Sequence, residues 1–352
     1  MHHSPQATDK YDVVERWNLV PGQSLPGHWA GRLLILSIAA GTAHCVAAPR
    51  RSPQPAVPPP SAVLRIEIGV GDERRVETIP LEDYVRGSVP AEMPLGEQDP
   101  AVADRLARLQ AILARTYALA NRGRHAQEGF DLCSTTHCQI YSPPEQQPVA
   151  VARLVTAAVE QTRGLTITDG HVPIQALFHA DCGGHTSSAT IIWGGPAPPY
   201  LSGVLDTFCV TTPRDDWHLD LDRDHLRRIL NTAPDTTVGH RLDRIEVLAR
   251  DPAGRASRVA AAGEFYRVVR GERLRSAISE QLGPRAFRSA RFSVEHRAGR
   301  VLFSGQGFGH GVGLCQTGAI VRARRGDSVR AILEHYYPGT RVEPHLAPPA
   351  SR

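Results

Sequence analysis

The sequence of 352 residues contains no block of like charge. Its 40 basic and 36 acidic residues are spread along the chain and leave a net charge of only +4, too little for an electrostatic footprint on nucleic acid. Neither an internal repeat nor a sustained heptad is present, which excludes a solenoid and a coiled coil. An H-E-x-x-H pair is missing, so a zinc peptidase of that kind is excluded. The glycine-rich run SGQGFGHGVGLCQ at 304–316 lacks the Lys-Ser/Thr ending of a phosphate-binding loop.

What is present begins with an export signal. Arg32 precedes the apolar run LLILSIAA at 33–40, too short to cross a bilayer by itself, and small residues follow to Val46, Ala47 and Ala48. Cleavage falls after Ala47 or Ala48. Cys45 raises a lipoprotein alternative, against which His44 stands where a small residue is wanted. The expected organisation is an N-terminal extension with signal peptide (1–48), a proline-rich linker (49–61), a folded body (62–344) and a tail (345–352). The mature chain is expected in the periplasm or cell envelope. With Cys45 removed, five of the six cysteines remain, an odd number that disulfides cannot exhaust.

The body reads as α+β, mixed helices and strands in one large unit. Leu64, Ile66, Ile68 and Val70 alternate with polar residues as in a half-buried strand. Leu81, Tyr84 and Val85 have helical spacing, with Glu82 and Asp83 read as a solvated first turn. Asp99 followed by Pro100 is a helix start, and the helix should run to about Asn121 with Leu106, Leu109, Leu113 and Tyr117 inward and Arg115 on the polar face. A second helix at 148–163 ends at Gly164, and LTIT, Asp169-Gly170 and HVPIQALFHA read as a hairpin. Helix or strand is expected at 222–230, 242–248 and 271–282, then helices to Arg324 and at 328–336. Cys182 and Cys209 flank an irregular segment and are the best disulfide candidates, with Cys315 as a buried free thiol.

Several strings appear in one order: PLEDYVRGSVPAEMP at 80–94, LQAILARTYAL at 109–119, DLCSTTHCQIY at 131–141, FHADCGGHT at 178–186, WGG and PYL at 193–201, GFGHGVGLCQTGA at 307–319 and HYYPGT at 335–340. In these the chain resembles the SpoIID/LytB family. That resemblance implies a peptidoglycan lytic transglycosylase that cuts the bond between N-acetylmuramic acid and N-acetylglucosamine, or else a non-catalytic enhancer of a cell-wall amidase. It implies a groove for glycan strands, and the modest positive charge suits an anionic wall.

The glutamate of the Glu-Met-Pro string maps onto Glu92 as the catalytic acid, and its neighbours Pro90, Ala91, Met93 and Pro94 should raise its pKa. Arg115 matches the family's ARTY string, where it would hold the sugar or developing charge; taken alone it reads as a salt-bridge residue. Cys133, His137 and Cys138, with His125 upstream, offer four zinc ligands, the alternative being a Cys133–Cys138 disulfide. A cysteine nucleophile there lacks an orienting group. His310 stands among glycines, either packed in a tight turn or facing substrate. Trp193, Tyr200, Tyr336 and Tyr337 could stack on sugars or fill the core.

Overall fold

The structure, a computed structural model, describes residues 62–69, 71–211 and 216–345. The segment read as an export signal, Cys45, the proline-rich linker and nearly all of the tail lie outside the described residues. Those described hold fourteen strands and eight helices, an α+β arrangement with many small sheets. No described helix is long and apolar enough to cross a membrane.

β1 (Val63–Ile68) and β2 (Arg75–Pro80) form an antiparallel pair that leads directly into α1 (Leu81–Glu92). α2 (Pro100–Ala120) starts where Asp99 accepts a hydrogen bond from the Ala101 amide at 2.9 Å, the cap that satisfies a first-turn donor. The expected inward stripe of α2 is buried, but so is most of its circumference. Alanines at 103, 107, 111, 114 and 118 keep its profile thin enough for neighbours on every side. It is the central helix of the first core, touching α1, α3 (Val149–Gln161) and β4 (Leu165–Asp169). β3 (Leu132–Cys133) runs parallel to β1 and places Cys133 opposite Glu67.

The hairpin after α3 is shorter than the sequence suggests. β5 (Val172–Pro173) pairs with β4, but β6 (Phe178–His179) leaves for another sheet, where it runs parallel to Leu314–Cys315. One further amide, that of Ile174, still donates to the Ile167 carbonyl at 3.0 Å before the chain turns away. α4 (Ala189–Trp193) follows.

A second core is built from β7 (Trp217–Asp222), α5 (Arg223–Leu230), β8 (Leu242–Arg250), β9 (Ala256–Gly263), β10 (Tyr266–Val269), α6 (Gly271–Leu282), β11 (Phe292–Arg297) and β12 (Arg300–Gly305). Phe287, Phe292 and Phe303 meet in it edge to face and Trp217 lies tilted against Phe287, with ring centroids 4.9 to 5.6 Å apart. The chain then returns to the first core through β13 (Leu314–Cys315), α7 (Gln316–Arg324), α8 (Val329–Tyr336) and β14 (Arg341–Pro344), which closes on β4. Both cores belong to one contact-continuous unit.

Candidate active site

Glu92 is the last residue of α1, not a loop residue, and Pro90 sits two positions earlier inside the helix. Proline cannot donate to the carbonyl four residues back, which leaves the Arg86 oxygen without its helical partner. Gln147 supplies it, donating its side-chain amide at 3.1 Å. The segment following β3 closes over the same end of α1. The Ile140 amide donates to Glu92 Oε1 at 2.6 Å, and Gln316 at the start of α7 donates to the Glu92 carbonyl at 2.8 Å. Glu92 is half-buried, and burial raises its carboxyl from 4.5 to about 7 against the opposing hydrogen bond from Ile140. No neighbouring charge contributes to that shift.

Close packing holds this closure in place. A Cβ at Gly87 would come within 2.2 Å of the Tyr141 ring and 2.7 Å of the Ser142 carbonyl oxygen. Gly87→Ala must therefore push residues 141–142 away from α1 and carry the Ile140 amide with them. We expect a stability loss of about 1–3 kcal/mol, as for other overpacked sites, and the Glu92 carboxyl to titrate differently. Urea unfolding and a carboxyl-labelled NMR titration check this; an unperturbed Glu92 resonance would contradict it.

Arg115 does not share this site. It is 1% exposed and forks onto Glu82 with bonds of 2.9 and 2.7 Å, while donating to the Leu165 carbonyl at 3.1 Å. Both the polar face assigned to Arg115 and the solvated turn assigned to Glu82 are corrected here: the two side chains form a largely buried ion pair joining α1, α2 and β4. Arg115 thus fixes helices and is not positioned to meet a ligand directly.

His125, Cys133, His137 and Cys138 do come together, with ligand atoms all within 4.8 Å of one another. Cys138 Sγ lies 3.4 Å from His125 Nε2 and 3.8 Å from His137 Nδ1, and Cys133 Sγ lies 3.7 Å from His137 Nδ1. A tetrahedral zinc sets such atoms about 3.3–3.8 Å apart, so the set can hold a metal. Glu128 accepts from His125 Nδ1–H at 2.5 Å, the supporting contact that turns Nε2 inward. The hydrogen bond between the two thiols holds Cys133 far below the ordinary range and Cys138 well above it.

His310 packs between Trp193 and His179, with ring centroids at 5.1 and 5.5 Å. Burial lowers it to about 4, so it is neutral, and its Nδ1 accepts from the Val312 amide at 3.1 Å. The proton is therefore on Nε2. No hydrogen bond joins His310 to Glu92; the chain from 310 to 316 links them. Of the four aromatic candidates, Tyr200, Tyr336 and Tyr337 are buried and belong to the core, whereas Trp193 is partly exposed.

No disulfide joins any two of the five described cysteines. The expected Cys182–Cys209 bridge is not formed, although the two thiols are brought into one buried cluster. Ile140, Gln316 and Gly87 escaped the sequence reading because their contribution is an amide or an absent side chain, which no residue pattern encodes.

Residues 70–168 match the family described as SpoIID, stage II sporulation protein. Stage II sporulation protein D of Bacillus amyloliquefaciens is 31% identical over 281 residues, covering 76% of this chain and 75% of that protein. The chain belongs to the SpoIID/LytB family. An uncharacterised Brachyspira hyodysenteriae protein is 30% identical, covering 76% of this chain and 67% of that one. The amidase enhancer of Bacillus subtilis is 26% identical over 299 residues, covering 73% of this chain and 40% of the enhancer. Within this SpoIID/LytB chain the strings around Glu92, Ile140 and Gln316 are distant in sequence and meet at one residue, Ile140 on the Glu92 carboxyl and Gln316 on its backbone carbonyl.

Proposed function

We propose that this protein is a lytic transglycosylase of peptidoglycan, working in the cell envelope, with Glu92 as its one acid and base. The observation that carries the reading is the state of Glu92: half-buried and raised by burial to about 7, so that one carboxyl can hold a proton near neutral pH and then take one back. A glycosidase that uses water needs a second carboxylate at roughly 5–9.5 Å. A lytic transglycosylase needs only one. The protonated carboxyl gives its proton to the leaving glycosidic oxygen, the muramic C6 hydroxyl attacks the anomeric carbon, and the carboxylate takes that hydroxyl's proton. The glutamic acid is regenerated and no water is consumed.

The Ile140 amide occupies Oε1, which leaves Oε2 for the reacting atoms and provides a donor once the proton has gone. Trp193, partly exposed and packed on His310, supplies a ring face for a sugar along the glycine-rich wall of a glycan groove. His125, Cys133, His137 and Cys138 would hold zinc, which when bound supplies a crosslink that steadies the segment leading to Ile140.

The likeness to an amidase enhancer favours one second reading, a non-catalytic wall protein whose partner is an amidase. Purified protein incubated with denuded and with intact glycan strands separates the readings. Products with 1,6-anhydro-muramic ends are expected by mass. Reducing ends alone indicate hydrolysis and a second carboxylate. No cleavage of any glycan, with undiminished stimulation of an amidase, establishes the enhancer.

A further inference from the structure

The geometry points to a second metal centre, a thiolate-rich site for a zinc-class divalent cation formed by Cys182, Cys209, Cys315 and Asp206. Their four ligand atoms lie within 4.8 Å of one another and all four residues are buried. Three of them come from separate stretches of chain: the turn after β6, the helical turn Cys209–Thr211, and the cap of α7. Thiolate sulfur with one carboxylate oxygen is a donor set that suits zinc.

Backbone amides are already aimed at the sulfurs. Gly184 donates to Cys182 Sγ at 3.2 Å, while Cys182 and Gly318 donate to Cys315 Sγ at 3.3 and 3.4 Å. These contacts fix the orientation of the sulfurs, and Cys315 also caps the N-terminus of α7. Asp206, 0% exposed, accepts from the Tyr336 hydroxyl at 2.8 Å and from the Cys209 amide at 3.1 Å. No arginine or lysine among the described residues forms an ion pair with it. A carboxylate buried among thiols without a cation is costly, and a bound cation removes that cost.

Space has been kept for this carboxylate. A Cβ at Gly318 would lie 2.2 Å from both Asp206 Oδ2 and the Tyr336 hydroxyl. Arg255, which donates to the Cys182 carbonyl at 3.1 Å, reaches the backbone side of the cluster. On binding, the ligand thiols lose their protons to solvent and no redox step is involved. The position matters because Cys315 is followed by Gln316, which holds the Glu92 carbonyl. The metal would therefore fasten the α7 side of the candidate active site as the first cluster fastens the Ile140 side.

The test is anaerobic reconstitution of the full chain, stripped of metal under reducing conditions, with zinc alone, followed by metal analysis. Cys133→Ser/Cys138→Ser should still bind one zinc per chain, and alkylation of Cys182, Cys209 and Cys315 should be blocked until a chelator is added. Cys182→Ser/Cys315→Ser should lose that zinc; should it fail to fold, the first variant alone decides. Cobalt in place of zinc should give thiolate charge-transfer absorption in Cys133→Ser/Cys138→Ser. No zinc in that variant, or freely alkylated thiols with zinc present, overturns the inference. So does a Cys182–Cys209 disulfide in protein taken from the envelope.

Discussion

Glu92→Gln should lower glycan cleavage by at least ~10²-fold, the lower range for loss of a general acid or base, while leaving folding and glycan binding close to wild type. Glutamine keeps the shape of the side chain, and its carbonyl can still accept from the Ile140 amide; what it lacks is a transferable proton. The pH dependence is a second readout of the same group. Cleavage by the wild type should fall as pH rises through about 7, because only the protonated carboxyl can begin the reaction.

Stability should report the shift from the other direction. Folding raises the Glu92 carboxyl from 4.5 to about 7, so the folded state binds this proton more tightly than the unfolded chain. The stabilisation is fully present below about pH 4.5 and is lost as pH rises through 7, up to about 3 kcal/mol in all. The stability difference between Glu92→Gln and wild type should therefore move in the variant's favour between pH 5 and pH 8. Urea unfolding at the two pH values measures it. A difference independent of pH, or full activity in the variant, removes Glu92 from the mechanism.

Arg115→Met should cost about 3–5 kcal/mol, the range for breaking a buried ion pair from one side. The substitution leaves the Glu82 carboxylate in place, its side chain 14% exposed, with its fork of two bonds gone. It also leaves the Leu165 carbonyl without its Arg115 donor. Adding Glu82→Gln should recover part of the loss, because the uncompensated charge is then removed as well. Denaturant midpoints for the two single variants and the double variant close the cycle. A stable Arg115→Met protein with weakened glycan binding would instead return Arg115 to the substrate.

Local chemistry made much of this molecule legible in the sequence. Asp99-Pro100 and Ser328 mark helix starts because capping is decided by a residue and its immediate neighbours, whereas α3 stops at Gln161 with Thr162 as its cap, ahead of the expected Gly164. The cluster of Cys133, His137 and Cys138 could be seen because a single turn brings its members together. The ordered strings indicated the family and pointed to Glu92.

Other relationships depended on which surfaces pack. Arg115 falls on the polar side of α2 by spacing, yet α2 is covered on nearly every side, so its charge had to find Glu82 in α1. Gln316 reaches Glu92 across 224 positions, and Cys182 meets Cys315 across 133. β6 leaves its hairpin and pairs with β13 instead, more than 130 positions away. The sequence determined helix ends and strand periods, because these depend on a few adjacent residues, while the family resemblance of its ordered strings named the carboxyl group to suspect. The tertiary structure decided which buried charge met which, and which thiols met, because burial leaves a polar group only those partners that packing brings within a few ångströms.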